Sequence, residues 1–335
     1  MAGVDWSGGV DMKWHPLTFV PVYQDRVWGG RGLQSLFGRD LPPGRVIGES
    51  WEVCDRPEVA SVVASGRLAG RTLGELMQED PGGLWGGLVA EGTRFPWLCK
   101  LLDAQDDLSL QVHPPAERAA ALGGEPKTEM WYVASAEPGS CVYAGVRPGV
   151  TREEFARRAK EGTVAELFHR LPVEEGDVLF LPSGRVHALG RGLIIFEIQQ
   201  NSDTTYRVFD WNRVGLDGEP RALHLEPALE SIDFADTSPA LVGRERVQRE
   251  GVSIRELVRH PLFSIDHVRS EGGRWEWRGE GRAGLLAVVK GRVTVMGGGE
   301  RVEVGPGGFV VLPAGMGEAG IEAGPGVEWL VARRP

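Results

Sequence analysis

Cysteine is scarce: Cys54, Cys99 and Cys141 are three in 335 residues, with no CxxC spacing among them. That scattered, odd set excludes a disulfide framework and a thiolate zinc finger, and it suits reduced thiols in a cytosolic protein. No apolar run approaches the ~20 residues that cross a bilayer as a helix. Asp5, Asp11 and Lys13 interrupt the stretch where a secretory signal would need its apolar core. The expectation is a soluble, cytoplasmic chain with no membrane partner. Positive charge is also in deficit. Asp and Glu number 47 against 37 Lys and Arg, a formal net charge of −10, which argues against nucleic acid as a bulk partner. A phosphorylated small molecule remains open, because a few cations in one pocket bind a phosphate whatever the global charge.

What the chain has in abundance is glycine, 48 residues, with 22 prolines spread throughout. That density suits many short strands joined by turns, and the length favours two domains over one core. Residues 1–15 show no period and read as an extension that includes His15. Short apolar stretches alternate with turns from Pro16 to about Arg71. TLGELMQED, from Thr72, has an N-cap and a Glu three residues on, which predicts a short helix. TREEFARRAKEGTVAELFHRL, from Thr151, predicts two short helices, with His169 at the surface. WLCKLLDA, LSLQVHP, EMWYVAS, SCVYAGV, VEEGDVLFLPSGRVHALG and LIIFEIQQN read as strands.

The composition shifts after about Glu230, so 16–232 and 233–335 are the expected domains. In the second, FSIDHVRS, WEWRG, GLLAVVKGRVTVMG and ERVEVGPGGFVVLPAG are strand candidates. The last repeats an earlier rhythm. G-D-V-L-F-L-P-S-G-x-x-H, Gly176 to His187, is a turn, a buried strand, a Pro-Gly stop and an inward-pointing His. This is a half-motif of cupin barrels. The later copy ends in Leu312, Pro313, Ala314 and Gly315, with Met316 and Gly317 where the His would be, so the second barrel is expected to be structural. His260 and His267 are not expected to restore a site there. The predicted fold is mainly β: two cupin-type jelly-roll barrels, with a few short helices in the N-terminal, catalytic part.

Gln111 and His113 are two apart, so on a strand they share a face while Val112 points away. Glu129 opens the next strand and His187 a later one. Inward residues of three strands can converge on one ion inside a barrel. Two imidazoles and a carboxylate suit Zn²⁺, although Fe²⁺, Mn²⁺ or Co²⁺ would accept the same donors. Gln111 is either a neutral fourth ligand or an orienting neighbour.

These residues resemble the type I mannose-6-phosphate isomerases, in their short bacterial form. The stretches that carry the likeness are PVYQDRVWGG, IGESWEV, LCKLLDAQDDLSLQVHP, KTEMWYV, GRVHALG, EIQQNSDTTYRVFDWNR and LHLEPAL. It runs from about Pro16 to Glu230 and more loosely beyond. The chain departs from the pattern at its N-terminal extension and at Met130, where a small residue is common. The resemblance implies one Zn²⁺ per chain on Gln111, His113, Glu129 and His187, and a catalytic Arg207. It places Ser109 and Lys127 near the substrate phosphate, and Lys100 in a substrate role less defined. It implies interconversion of mannose 6-phosphate and fructose 6-phosphate through an enediol, in a monomer or weak homo-oligomer. Glu197, Lys127 and a metal-bound water are all open as the base. The polar run Asn201, Ser202, Asp203 and Thr204 is expected to form a pocket rim. An ion pair with Asp203 or Asp210 is the alternative role for Arg207. Other functions to separate are a glucose 6-phosphate isomerase of the same fold, an iron-dependent cupin oxygenase and a non-catalytic phosphosugar binder.

Overall fold

The computed structural model describes residues 14–334. Two antiparallel sheets build the first two-thirds of the chain. A six-stranded sheet runs Val22–Gly30, Ile47–Val53, Trp97–Ala104, Leu193–Gln200, Glu129–Ala136, Val178–Leu181. A five-stranded sheet runs Tyr206–Phe209, Leu110–Val112, His187–Leu189, Cys141–Val146, Phe168–Pro172. A third, eight-stranded sheet follows, in which the two 16-residue strands Phe263–Arg278 and Glu318–Arg333 pair along most of their length. The mainly-β, cupin-type expectation stands.

The strand Trp97–Ala104 explains how the parts join. All eight residues are buried, so both of its faces are covered. Trp97, Cys99 and Leu101 enter a core shared with Phe263, Leu285, Val311 and Leu330 of the third sheet. Leu102 and Ala104 turn the other way, toward Val142 and Leu189 of the five-stranded sheet. The third sheet repeats this two-sidedness. Leu285 and Ala287 face the shared core, whereas Leu286 and Val288 face a separate core with Trp277 and Trp329. Met130, the departure from the family pattern, lies in the shared core and turns away from Glu129's side of the strand. Leu17 exchanges backbone hydrogen bonds of 2.9 Å with Val311 in both directions, tying the start of the described chain to the third sheet. Trp14 and His15 are already buried, and Trp14 donates to Asp80 at 3.0 Å. The rest of the expected extension, 1–13, lies outside the described residues.

Leu73–Glu79 is a helix with the full reciprocal cap between Thr72 and Glu75. Arg152–Lys160 starts at Thr151 as expected. The second helix expected on that stretch is instead one 3₁₀ turn, Val164–Leu167, and His169 lies on the strand Phe168–Pro172. His169 is half-buried rather than at the surface, its Nε2 2.9 Å from the Thr237 carbonyl. In the third sheet FSIDHVRS and WEWRG are one continuous strand, not two.

Candidate metal centre and substrate cavity

Strand register sets the site. Gln111 is paired with His187 on one side and with Arg207 on the other, and directly opposed residues of antiparallel strands share a face. One row therefore crosses the five-stranded sheet: Arg207, Gln111, His187. The facing sheet supplies a second row, Trp51, Lys100, Glu197, Trp131, also in direct register. Glu129 lies two residues before Trp131 and so on the same face. His113 follows Gln111 by two. The centre thus takes two imidazoles from one sheet and one carboxylate from the other.

Donor atoms of His113, Glu129 and His187 all lie within 4.8 Å of one another, and the three residues are buried. His187 Nε2 is 3.2 Å and His113 Nε2 3.6 Å from the Glu129 carboxylate. His113 Nδ1 is 2.8 Å from the Thr204 carbonyl and His187 Nδ1 2.9 Å from the Arg185 carbonyl. A carbonyl only accepts, so each ring carries its proton on Nδ1 and presents a bare Nε2 lone pair to the centre. His113 Nε2 and both Glu129 oxygens have no hydrogen-bond partner among the described residues. Orphaned buried acceptors facing one another are costly unless a cation lies between them, so this donor set fits a divalent metal. Burial first, then the Lys127 ammonium, drive the His113 pKa down to about 3, which keeps the ring neutral. Burial raises the Glu129 carboxyl, but Lys127 and His113 outweigh it and hold Glu129 well below its ordinary value. Lys127 is 2.7 Å from Glu129, outside hydrogen-bond direction.

Gln111 is half-buried, with its amide nitrogen 3.3 Å from His187 Nε2. It borders both the centre and a cavity of about 550 Å³ that also exposes Lys100, Ser109, Lys127, Glu197 and Arg207. The structure thus brings every expected site residue to the centre or to this cavity. Lys100 is 3.6 Å from each of Glu49, Glu197 and Asp203 and 5.0 Å from the centre of the Trp51 ring. Burial opposes its charge, yet those carboxylates raise its pKa above that of an ordinary lysine. Glu197 accepts from the Trp131 indole at 2.9 Å, and its second carboxylate oxygen has no hydrogen-bond partner. Burial, opposed by Lys127 and reinforced by Glu129, raises its pKa.

Arg207 donates to Ser109 Oγ at 3.3 Å and to the Ala222 carbonyl at 2.8 Å. Asp210 is instead committed to Arg213 and Arg221, and Asp203 faces Lys100. The structural ion pair weighed for Arg207 is not formed. Of the expected rim, Asp203 lines the cavity; Asn201 instead donates to the carbonyls of Asp55 and Phe95, and the Thr204 carbonyl fixes His113.

Sequence reasoning missed Arg26 and Glu49, which pair through two hydrogen bonds of 2.8 and 3.1 Å in the cavity wall. Both lie in stretches that carried the resemblance, PVYQDRVWGG and IGESWEV, which was the available signal. The loop that brings Gly215 to Arg221 over the cavity offered none.

In the third sheet Met316 ends a 3₁₀ turn, His267 contacts Arg246 and Glu328, and His260 accepts from the Leu262 amide. Among the described residues no second cluster of metal-binding type occurs. No helix among them is long and apolar enough to cross a membrane.

Residues 17–135 match the phosphomannose isomerase type I catalytic domain, and 263–331 match the EutQ-like cupin domain. Mannose-6-phosphate isomerase ManA of Bacillus subtilis is 36% identical over 322 residues, 93% of this chain and 97% of that one. A mannose-6-phosphate isomerase of Streptococcus mutans is 34% identical, over 89% of this chain and 92% of its own. The crystal structure of a mannose 6-phosphate isomerase from Bacillus subtilis superposes with a TM-score of 0.86 at 30% identity, covering 95% of this chain and 99% of that one. Likeness of that extent, in sequence and in fold, makes the chain a member of the type I phosphomannose isomerase family.

Proposed function

We propose that this mannose-6-phosphate isomerase holds Zn²⁺ on His113, Glu129 and His187 and interconverts mannose 6-phosphate and fructose 6-phosphate through an enediol. One observation carries the reading: three buried donor residues converge beside a cavity that several cations line, and His113 Nε2 and both Glu129 oxygens among them have no hydrogen-bond partner. With Oε1 turned toward the centre, Gln111 supplies a neutral fourth donor. When bound, the metal supplies Lewis-acid charge beside the sugar oxygens.

The residues of the chain divide the remaining work. A base takes the C2 proton of the open-chain aldose and returns it at C1, while one proton moves between O1 and O2. Glu197 suits this role best: one oxygen is anchored by Trp131, the other accepts no hydrogen bond and lies 3.6 Å from Lys100 beside the cavity, and its raised pKa strengthens it as a base. Lys127 is held by Glu129, which disfavours it. Arg207 has no carboxylate partner, keeps its charge at any working pH and offers a planar fork to the developing enediolate. Lys100 and Ser109 are substrate-binding groups, and Lys127, which lines the same cavity beside Glu129, adds positive charge there. In this reading 16–232 carry the chemistry, and 233–335 cover and brace the six-stranded sheet.

A coupled assay of mannose 6-phosphate turnover, run beside metal analysis of the same preparation, tests the proposal. Turnover with about one Zn²⁺ per chain is expected. Turnover of glucose 6-phosphate alone, or phosphosugar binding without turnover, would overturn it.

A further inference from the structure

The imidazole of His187 is aimed by a carbonyl belonging to Arg185. That residue is itself gripped from outside the sheet. Arg185 Nε and Nη2 donate to the two Asp236 oxygens at 2.6 and 2.7 Å, a fork-to-fork pair, and Nη1 donates to the Phe180 carbonyl at 2.9 Å. Both side chains of the pair are 15% exposed, so water competes weakly for it.

Asp236 lies on the segment that leaves the helix Leu225–Ser231. This segment is fastened at several points around the His187 strand. The Asp233 amide donates to the Gly184 carbonyl at 2.9 Å, and the Val146 amide to the Asp236 carbonyl at 3.3 Å. Gly184 in turn donates its amide to the His113 carbonyl at 2.9 Å. The turn before His187 is therefore bonded to one proposed ligand's backbone, orients the other ligand's ring, and is pinned from behind by Asp236.

We propose that Arg185 and Asp236 are positioning residues for the metal. Their pair fixes the Arg185 carbonyl, the carbonyl fixes the His187 tautomer and ring plane, and Nε2 is held on the centre. Groups that orient a ligating histidine in this way typically change metal affinity by about 10–100-fold. This rests on the metal reading above.

The test is Zn²⁺ affinity, measured by competition with a chromogenic chelator, beside thermal melts of the metal-free proteins. Arg185→Ala and Asp236→Ala should each weaken Zn²⁺ binding by about 10–100-fold. The double variant should weaken it by no more than the worse single, because the two act as one unit. Asp236→Asn, which keeps shape and one acceptor, should fall between Asp236→Ala and wild type. At saturating Zn²⁺ all should regain most of their kcat. Lower melting temperatures with unchanged affinity would overturn the proposal and leave the pair a plain brace; so would additive losses in the double variant. His187→Ala is the control: if it too retains full affinity, the metal assignment fails; if only the Arg185 and Asp236 variants retain it, the positioning role fails.

Discussion

Two stretches of this chain share a rhythm and differ in outcome. Each has a glycine turn, a buried four-residue strand and a proline stop: Val178–Leu181 before Pro182, and Phe309–Leu312 before Pro313. The first continues through Ser183 to Arg185 into the strand that opens with His187, next to a polar cavity. The second continues into the turn Ala314–Met316, beside a core of Trp277, Val295, Ile321 and Trp329. The rhythm specifies how a chain leaves a sheet and returns. Whether the returning residue finds chemistry depends on what the facing strands present: Glu129 and His113 in one case, valine and tryptophan in the other.

The largest effect that bears on this contrast is metal removal. Protein stripped by chelator should lose its isomerase activity and regain it with Zn²⁺, and full activity without metal would erase the distinction between the halves. Almost as large, His187→Ala and Glu129→Gln should each lose bound metal, whereas Gln111→Ala should lose less, as judged by metal-to-protein ratio after dialysis. Next, Arg207→Ala should lower kcat by on the order of 10²–10³ with little change in metal content or melting temperature, and Arg207→Lys should recover part of it. A destabilised Arg207→Ala variant with wild-type kcat would return this residue to a structural role.

A smaller effect comes from Glu49. Burial raises its pKa, but Lys100 and Arg26 bring it down to about 2 from an ordinary 4.5. The unfolded chain therefore binds this proton before the folded one does, and its contribution to stability is present above about pH 4.5 and lost as pH falls toward 2. In Glu49→Gln, ΔG of unfolding should fall less steeply over that window than in wild type, and equal slopes would refute the assignment. Smallest of all, Met316→His should add no second metal, because among the described residues no cluster of metal-binding type occurs near it to supply the further ligands.

Much of this contrast was legible beforehand. The runs WLCKLLDA and LIIFEIQQ announce strands because both faces are buried and little polarity interrupts them. His113, Glu129 and His187 are readable because two-residue periodicity fixes which side chains face inward. Harder to read was anything that depends on two sheets meeting. Arg26 and Glu49 look like ordinary charges on a strand until the register sets Trp51 beside Lys100. WEWRG looks like a separate strand because EGG before it suggests a turn, yet the long partner Glu318–Arg333 pairs with the chain on both sides of it, across a register shift between Arg269 and Glu271. Thr204 and Arg185 act through their carbonyls, which every residue has, so no side-chain pattern could single them out.

The reciprocal bonds between Leu17 and Val311 also bear on assembly, because they join residues far apart in the chain. A ribosome releases residue 17 long before residue 311, so this segment waits for its partner while the sheets between them form. Closing so long a loop adds little to the thermodynamic cost, since that cost grows only with the logarithm of length. Its burden falls on rate: contacts of high sequence separation slow folding and leave an unpaired edge exposed in the interval. The nascent chain is at its most vulnerable to aggregation in that interval, with the face of Trp97, Cys99 and Leu101 still uncovered and the third sheet yet to arrive.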